Sequence, residues 1–363
     1  MSTCTRPTSR AKPSAAGPRR ALLALCLGLS RLGGCNPFDR MEAYQTERFA
    51  LTAGPAAAEG YPMEIVEGRF PTSDGKSIPF GPEFLEGDWG LAHSGVVSGD
   101  GTAPAPDSLE IRWYSYPEDK FYQGRFLLPQ RRIYDLLKQG YWNTDTKKQE
   151  TYKTLTTCLL PTGVVVVWLS GQNQVLIGRY QGQEIAFDFK RFNEAADRPL
   201  MVAQEQAKLP AAVQARIRAG TLSAQPWDEY LKTYHWKLEF SRPLTLYNHG
   251  IGFFNAEDIN YTPTADVAAY AKTIFEPTAK PVPVNMLLWI DAGYGRKRKI
   301  RVDAFDEAET LSAFRNLNTS SVAAPITLYV DTDERVTKAR LFLKNGQQQV
   351  ELTKSPVVVY DAD

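Results

Sequence analysis

Alternating apolar and polar positions from Leu109 onward predict a strand with two different faces. Leu109, Ile111 and Trp113 lie on one face, while Glu110 and Arg112 lie on the other. A polar turn and a second apolar run follow directly. The stretch therefore predicts a β-hairpin with one face in the core of the protein.

A helix and two further strands are predicted after this hairpin. Ile133, Leu136 and Leu137 recur with helical spacing, and Gly140 is suited to end the helix. The run 161–168 is almost continuously apolar, which favours a central strand covered on both faces. Another strand is predicted after the next turn, so this region indicates a ββαββ unit.

The region 281–352 repeats the same order of predicted elements. Four pairs recur at two fixed offsets, the first two at 176 and the last two at 164: Trp113 with Trp289, Arg125 with Arg301, Pro161 with Pro325, and Gly182 with Gly346. The sequence therefore predicts an α+β fold of duplicated ββαββ units, with mostly antiparallel sheets and helices packed on one face.

The N-terminal segment has the layout of a bacterial lipoprotein signal peptide. Arg19 and Arg20 precede the apolar run 21–29, which is too short for a permanent membrane helix. Two glycines then precede Cys35, as in the lipobox in which the cysteine is acylated. We expect residues 1–34 to be removed and Cys35 to attach lipid; the alternative is an alanine-rich leader with a chance cysteine.

The charge of the chain changes once this leader is set aside. Residues 1–34 hold six basic and no acidic residues, which leaves 36 basic against 41 acidic residues. This acidic balance argues against nucleic acid as a partner. Asn36 rather than aspartate follows the cysteine, which favours the outer membrane with the body facing the periplasm. Cys158 alone remains as a thiol, so no internal disulfide is predicted.

The composition along the chain predicts four segments. They are a signal peptide at 1–34, a flexible tether at 35–60, a first sheet-helix domain at 61–240, and a second, degenerate copy at 241–363.

No catalytic or metal-binding motif is present, so no catalytic residue, metal or cofactor is predicted. The histidines, His93, His235 and His249, are widely spaced and lack cysteine partners. Aromatic and acidic residues of the first unit are the candidates for partner binding: Tyr114, Tyr116, Glu118, Asp119, Tyr122, Tyr141 and Trp142. The alternative is that these aromatics cover the second face of a sheet.

Several short stretches occur in an order that resembles a known family. They are Leu109–Ser115, Glu118–Tyr122, Phe126–Pro129, Pro161–Gly163 and Val166–Trp168. Over about residues 61–240 the chain resembles an uncharacterised family of proteobacterial lipoproteins, domain of unknown function 2931. The resemblance implies a lipid-anchored envelope protein. The genes of some relatives look like neighbours of type VI secretion genes. This implies that such relatives are immunity proteins that neutralise an effector in the periplasm.

Three functions are consistent with these features. We favour a lipid-anchored periplasmic protein without catalytic activity that binds a protein partner, such as a secreted effector. The alternatives are an envelope hydrolase using carboxylates such as Glu118 or Asp188, and a structural lipoprotein of an envelope complex.

Overall fold

The computed structural model describes most of the chain after the predicted signal peptide. The described residues are 42–92, 101–261, 273–293, 295–318, 324–346 and 348–362, and all of them belong to the unit Met41–Asp363. The predicted signal peptide, Cys35 and His93 lie outside them. Among the described helices, none is long and apolar enough to cross a membrane.

The described residues form mostly β-sheet, and the sheets are mostly antiparallel, which is compatible with the predicted α+β class. The strands of the N-terminal half are β1 (Arg48–Ala50), β2 (Thr52–Ala57), β3 (Met63–Pro71), β4 (Ser77–Phe80), β5 (Glu83–Leu85), β6 (Thr102–Pro104), β7 (Ser108–Ser115), β8 (Lys120–Leu127), β9 (Tyr141–Asn143), β10 (Lys148–Glu150), β11 (Thr154–Leu160), β12 (Val164–Ser170), β13 (Gln174–Gln181) and β14 (Gln183–Ile185). The strands of the C-terminal half are β15 (Thr233–Phe240), β16 (Thr245–Phe253), β17 (Asp258–Tyr261), β18 (Thr278–Pro281), β19 (Pro283–Asp291), β20 (Lys297–Val302), β21 (Ile326–Thr332), β22 (Ala339–Lys344), β23 (Gln349–Glu351) and β24 (Val357–Asp361).

The helices lie between strands, except that the first described one precedes β1. They are α1 (Ala43–Thr46), α2 (Gln130–Gln139), α3 (Phe189–Phe192), α4 (Arg198–Lys208), α5 (Ala211–Ala219), α6 (Gln225–Tyr230) and α7 (Glu307–Asn318), with a 3₁₀ turn at Pro161–Gly163.

Three larger sheets organise the described residues. Sheet I has the order β14-β8-β7-β3-β4, with β5 also paired to β3. Sheet II has nine strands in the order β2-β11-β12-β13-β17-β16-β19-β20-β24. Sheet III has the order β18-β15-β21-β22-β23. Two small pairs, β1 with β6 and β9 with β10, complete the β-structure.

Two large hydrophobic cores lie between these sheets. The first extends over sheet I, the first four strands of sheet II and α2, and Trp113 and Trp168 are fully buried in it. The second extends over β16, β19, β20 and β24 of sheet II, sheet III and α7, with Trp236 fully buried. Strand β12 is buried along nearly its whole length between β11 and β13, as its apolar run predicted.

The two halves meet inside sheet II. Strands β13 and β17 pair at one position, Gln174 with Asp258. Beside it, the indole Nε1 of Trp168 donates to the carbonyl of Asn255 at 2.9 Å, and Nε1 of Trp89 donates to the carbonyl of Phe254 at 2.8 Å. Two N-terminal indoles therefore have their acceptors in a C-terminal turn.

The strand orders of the two halves match. The last five strands of sheet II run β17-β16-β19-β20-β24, and sheet I runs β4-β3-β7-β8-β14, so each strand has a counterpart at the same place in the chain order. Each half also contains one parallel pair, β2 with β11 in sheet II and β15 with β21 in sheet III. The register also shifts at matching places, between Ile65 and Glu67 and between Leu246 and Asn248.

Two of the predicted correspondences are wrong. Trp113 faces the first core, whereas Trp289 is half-buried between the core residues Leu288 and Ile290 and therefore points to the opposite face. Pro161 follows strand β11, whereas Pro325 precedes the counterpart of that strand, β21.

The predicted tether is also wrong where the chain is described. Residues 52–57 form β2, which pairs in parallel with β11, and Ala53, Ala56 and Ala57 are fully buried. The small side chains permit close packing here. The boundary at residue 240 is misplaced as well, because Trp236 and Leu238 of β15 lie in the second core.

Candidate functional site

Glu118, a predicted partner-binding residue, holds the turn between β7 and β8 in place. Its carboxylate accepts hydrogen bonds from Ser115 Oγ at 2.8 Å, from the Tyr122 hydroxyl at 3.0 Å, and from the backbone N–H of Thr162 at 3.0 Å. Thr162 has a positive φ of 62°, so these bonds fix an unfavourable backbone conformation. The carboxylate therefore connects sheet I to the turn before β12.

Asp119 makes a second connection on the opposite face of sheet I. It accepts hydrogen bonds from the Tyr114 hydroxyl and from Nε of Arg198, the latter at 2.7 Å. The Arg198 guanidinium also lies 5.4 Å from the ring centroid of Phe189. These contacts attach the start of α4 to the hairpin.

The aromatic residues beside Asp119 form a third, smaller buried cluster. It comprises Tyr114, Tyr116, Phe121, Phe189 and Val202, with Phe192 packed against it. Burial raises the pKa of the Tyr114 and Tyr116 hydroxyls, and their bonds to Asp119 and Glu64 raise it further, so both stay neutral. Helices α3 and α4 thus cover this part of sheet I.

The predicted aromatic surface is therefore not available to a partner in this fold. Tyr114, Tyr116 and Tyr122 are at most 5% exposed. Tyr141 is buried on β9, where its hydroxyl accepts from the N–H of Gln172 at 2.8 Å. The described contacts do not join Tyr141 or the half-buried Trp142 to the turn at Glu118. The covering-face alternative accounts for Tyr114 and Tyr116.

The carboxylates of the hydrolase hypothesis also have structural contacts. Asp188 caps α3 by accepting the N–H of Lys190 at 3.0 Å, and Glu118 accepts the three donors described above. Within the described parts of the chain, no group of histidine, cysteine, aspartate and glutamate residues could hold a metal ion.

A charged groove of about 660 Å³ lies on the part of sheet I beyond the aromatic cluster. Its lining residues come from β3, β7, β8 and the β13–β14 connection: Glu67, Gly68, Arg69, Glu110, Ile111, Arg112, Gln123, Gly124, Arg125, Phe126, Gln181 and Gln183. Among these residues there is no hydroxyl, thiol, imidazole or amine. The groove therefore offers hydrogen bonds and charge for binding, and both of its glutamates are engaged in ion pairs with arginines.

The charges of the groove are arranged as two linked sets. Glu110 lies between two arginines, 2.5 Å from Arg69 and 3.2 Å from Arg125. Arg112 lies 2.9 Å from Glu67, and its guanidinium lies over the ring of Phe187. Phe187 comes shortly before helices α3 and α4 in the chain. Three arginines against two glutamates leave one positive charge in excess.

Arg69 and Arg125 are the accessible parts of this groove. Their side chains are 58% and 75% exposed, whereas Glu110 is 23% exposed. The glutamate orients two guanidinium groups whose remaining donors face solvent. Exposed ion pairs contribute little to stability, so the arrangement is better suited to recognition than to folding.

A signal for this groove was present in the sequence. Polar positions alternate with apolar ones on adjacent strands, as in Glu110 and Arg112 of β7. The alternation places these residues on the other face of a strand but does not give the neighbours of β7 in the sheet. The pairing of Arg69 and Arg125 with Glu110 shows that one face collects them.

A second cavity of about 480 Å³, mostly apolar, lies in the C-terminal half. Burial lowers the pKa of His249 to about 4 and that of Lys280 to about 8. The Lys280 ammonium donates to the carbonyl of Trp236 at 2.6 Å and to that of Glu276 at 2.9 Å. Two hydrogen-bond donors of the Lys280 ammonium are therefore used by backbone carbonyls.

Comparison with known proteins assigns the chain to a family. The family model described as "Protein of unknown function (DUF2931)" matches residues 39–222. The chain belongs to this family. The match covers β1 to β14 and ends after α5. No curated protein matches the chain, and no solved structure matches it.

Proposed function

We propose that this DUF2931 protein is a lipid-anchored protein of the bacterial envelope that binds a protein partner and has no catalytic activity. The charged groove of sheet I carries the proposal, because Glu110 orients two exposed arginines on a concave face. Buried or oriented arginines are common anchors of protein interfaces. Both glutamates of the groove form ion pairs with its arginines, which favours binding over catalysis.

The partner we propose is a secreted effector, which would make the chain an immunity protein. This version rests on the resemblance to lipoproteins near type VI secretion genes, and the groove supplies a surface for it. Glu118 and Asp188 accept structural hydrogen bonds, which counts against these two as the carboxylates of the hydrolase alternative.

The proposed anchor is the acylated Cys35, which would hold the body on the periplasmic side of the outer membrane. Replacing the thiol in Cys35→Ser should release the protein from the membrane fraction and prevent palmitate labelling. Unchanged labelling of this variant would contradict the anchor.

We also propose that the two halves are copies of one two-sheet unit. Their matching strand orders, parallel pairs and register shifts support this proposal. The family match covers the N-terminal half, so the C-terminal half would be a divergent copy of the same fold. An experimental structure whose halves cannot be superposed in this strand order would overturn it.

Charge reversal in the groove tests the binding proposal. The partners to test are the effectors, if any, encoded beside this gene, and the measurements are affinity and protection of a sensitive strain. Arg69→Glu together with Arg125→Glu should weaken binding at least about tenfold and abolish protection, because both guanidinium anchors are lost.

Arg301→Glu is the matched control. Arg301 is the counterpart of Arg125 in the C-terminal half, and its side chain is 52% exposed and paired with Asp303. It should bind like the unchanged protein. Equal affinity of the groove variant would exclude the groove as the binding site. A deletion strain that survives every neighbouring effector would exclude the immunity role.

A further inference from the structure

Strand β8 has a partly open edge beside the charged groove. Strand β14 pairs with it only from Phe121 to Gln123. Along residues 124–127 no described strand pairs with β8 on that side. The counterpart β20 is paired with β24 along residues 298–302. The two halves therefore differ at the same edge: one is closed along its length and the other is half open.

The backbone groups at the open edge can be assigned from the strand pairing. The N–H of Leu128 donates to the carbonyl of Asp107 at 2.8 Å, so the even-numbered residues of β8 bond to β7. The N–H and C=O groups of Arg125 and Leu127 therefore point toward the open edge. The Leu127 side chain is 83% exposed, which is unusual for a large apolar residue at a strand end.

The C-terminal half shows what kind of segment completes such an edge. Strand β24 is a five-residue antiparallel strand of sequence Val-Val-Val-Tyr-Asp. Its Val357 and Val359 pack on the second core, and Asp361 forms an ion pair with Arg298. An extended segment with apolar residues and an acidic residue thus fits the counterpart of β8.

We propose that the protein partner adds an extended segment to β8 as a further antiparallel strand, with an acidic residue at Arg125 and an apolar residue against Leu127. This inference rests on the proposed function. Strand addition gives affinity through main-chain hydrogen bonds and specificity through alternate side chains. The excess positive charge of the groove favours the acidic residue, since Arg125 is largely exposed and retains unused donors.

A second copy of this chain fits the edge less well than an acidic segment does. Antiparallel pairing of two copies through residues 124–127 would bring both Arg125 side chains onto one face within a few residues. Like charges at such positions oppose pairing. A partner segment with a carboxylate has no such conflict.

Hydrogen exchange on the full chain tests the inference with a defined probe. The probe is a synthetic peptide of residues 355–362, which contains the strand that closes the counterpart edge. At about 1 mM peptide, a weak affinity suffices to slow exchange of the Arg125 and Leu127 amides at least about threefold. A control peptide with proline at Val358 and Val359 should have no effect, because proline cannot donate to a ladder.

Two variants separate the backbone from the side chain. Arg125→Pro removes the outward N–H, whereas Arg125→Ala keeps it, and both lose the guanidinium. The effector should bind the proline variant about tenfold more weakly than the alanine variant. The Gly124 and Phe126 amides, which bond to β7, should stay protected in both and so show that the strand is intact.

Other outcomes overturn either the inference or the proposed function on which it rests. Unchanged exchange with peptide, or equal slowing by the proline control, excludes strand addition. Slow exchange that becomes fast on dilution identifies a second copy as the occupant. If the charge reversal in the groove weakens effector binding while the alanine and proline variants bind equally well, strand addition at β8 is excluded and the proposed function is retained. If the peptide slows exchange at Arg125 and Leu127 but no effector binds the protein, the edge can accept a strand and the proposed function is wrong.

Discussion

Sheet I and its counterpart in sheet II share one strand order but are completed in different ways. In sheet I, helices α3 and α4 cover an aromatic cluster on the outward face, and the edge at β8 is half open. In the counterpart, β24 closes the edge along β20. Among the described residues, only the N-terminal half has such a buried outward cluster. The topology alone therefore does not determine which surface is available for binding.

The outward face of the counterpart also has a different character. Trp289 is half-buried there and pairs across the strands with Lys299. The Lys299 ammonium lies 5.6 Å from the ring centroid of Tyr360, and that of Lys297 lies 5.2 Å from the ring of Tyr247. Lysine side chains, rather than helices, cover these aromatic rings.

The largest expected effect is a difference in stability between alanine variants of the two hairpin tryptophans, Trp113 and Trp289. Trp113→Ala should lower the free energy of unfolding by about 3–5 kcal/mol, because it leaves a cavity in the first core beside Tyr122. Trp289→Ala should cost about 1–2 kcal/mol, since the ring is half-buried on the outward face. Denaturant unfolding measures both. Equal losses would mean that the two residues hold equivalent positions.

Removing β24 should make the two edges alike. Ending the chain before Pro356 exposes β20 and removes the packing of Val357 and Val359, so we expect a loss of about 2–3 kcal/mol. The newly open edge should also cause concentration-dependent association. Thermal unfolding and light scattering report the two effects. A monomer of unchanged stability would show that β24 does not close the edge.

A smaller effect concerns pH and two buried groups of the C-terminal half. Burial raises the pKa of Asp258 to about 6 and lowers that of His249 to about 4. Between pH 4 and 6 the folded state binds more protons at Asp258, so stability falls as pH rises; His249 acts in the opposite sense up to its unfolded pKa of about 6.5. Native stability should therefore change little over this range.

Asp258→Asn separates the two contributions. Its stability should increase by about 1–3 kcal/mol from pH 4 to pH 6.5, because only the His249 contribution remains. The counterpart strands β3 and β4 contain neither histidine nor aspartate, so they offer no matching effect. A variant with the same flat profile as the native protein would contradict both assignments.

Local pattern predicted the parts of the fold that depend on neighbouring residues in the chain. The alternation at Leu109 gave the β7–β8 hairpin, the helical spacing at Ile133 gave α2, and the apolar run gave β12. These elements bury whichever face the pattern makes apolar, so their periods are visible without a structure.

Features that depend on distant segments could not be predicted in this way. A shift of one residue turns a strand side chain to the other face, which is why Trp289 was matched wrongly to Trp113. The alanines of β2 were interpreted as a tether because their parallel partner, β11, lies about one hundred residues later. The groove likewise needs β3, β7 and β8 side by side before Arg69 and Arg125 meet at Glu110.

The two indole bonds at the junction limit how this protein can be divided. The family match stops at residue 222, yet Trp89 and Trp168 donate to carbonyls at residues 254 and 255. A fragment cut at the family boundary would retain both donors and lose both acceptors, one of them in a fully buried site. The family-like portion of this chain thus needs its companion half to supply the acceptors of these two hydrogen bonds.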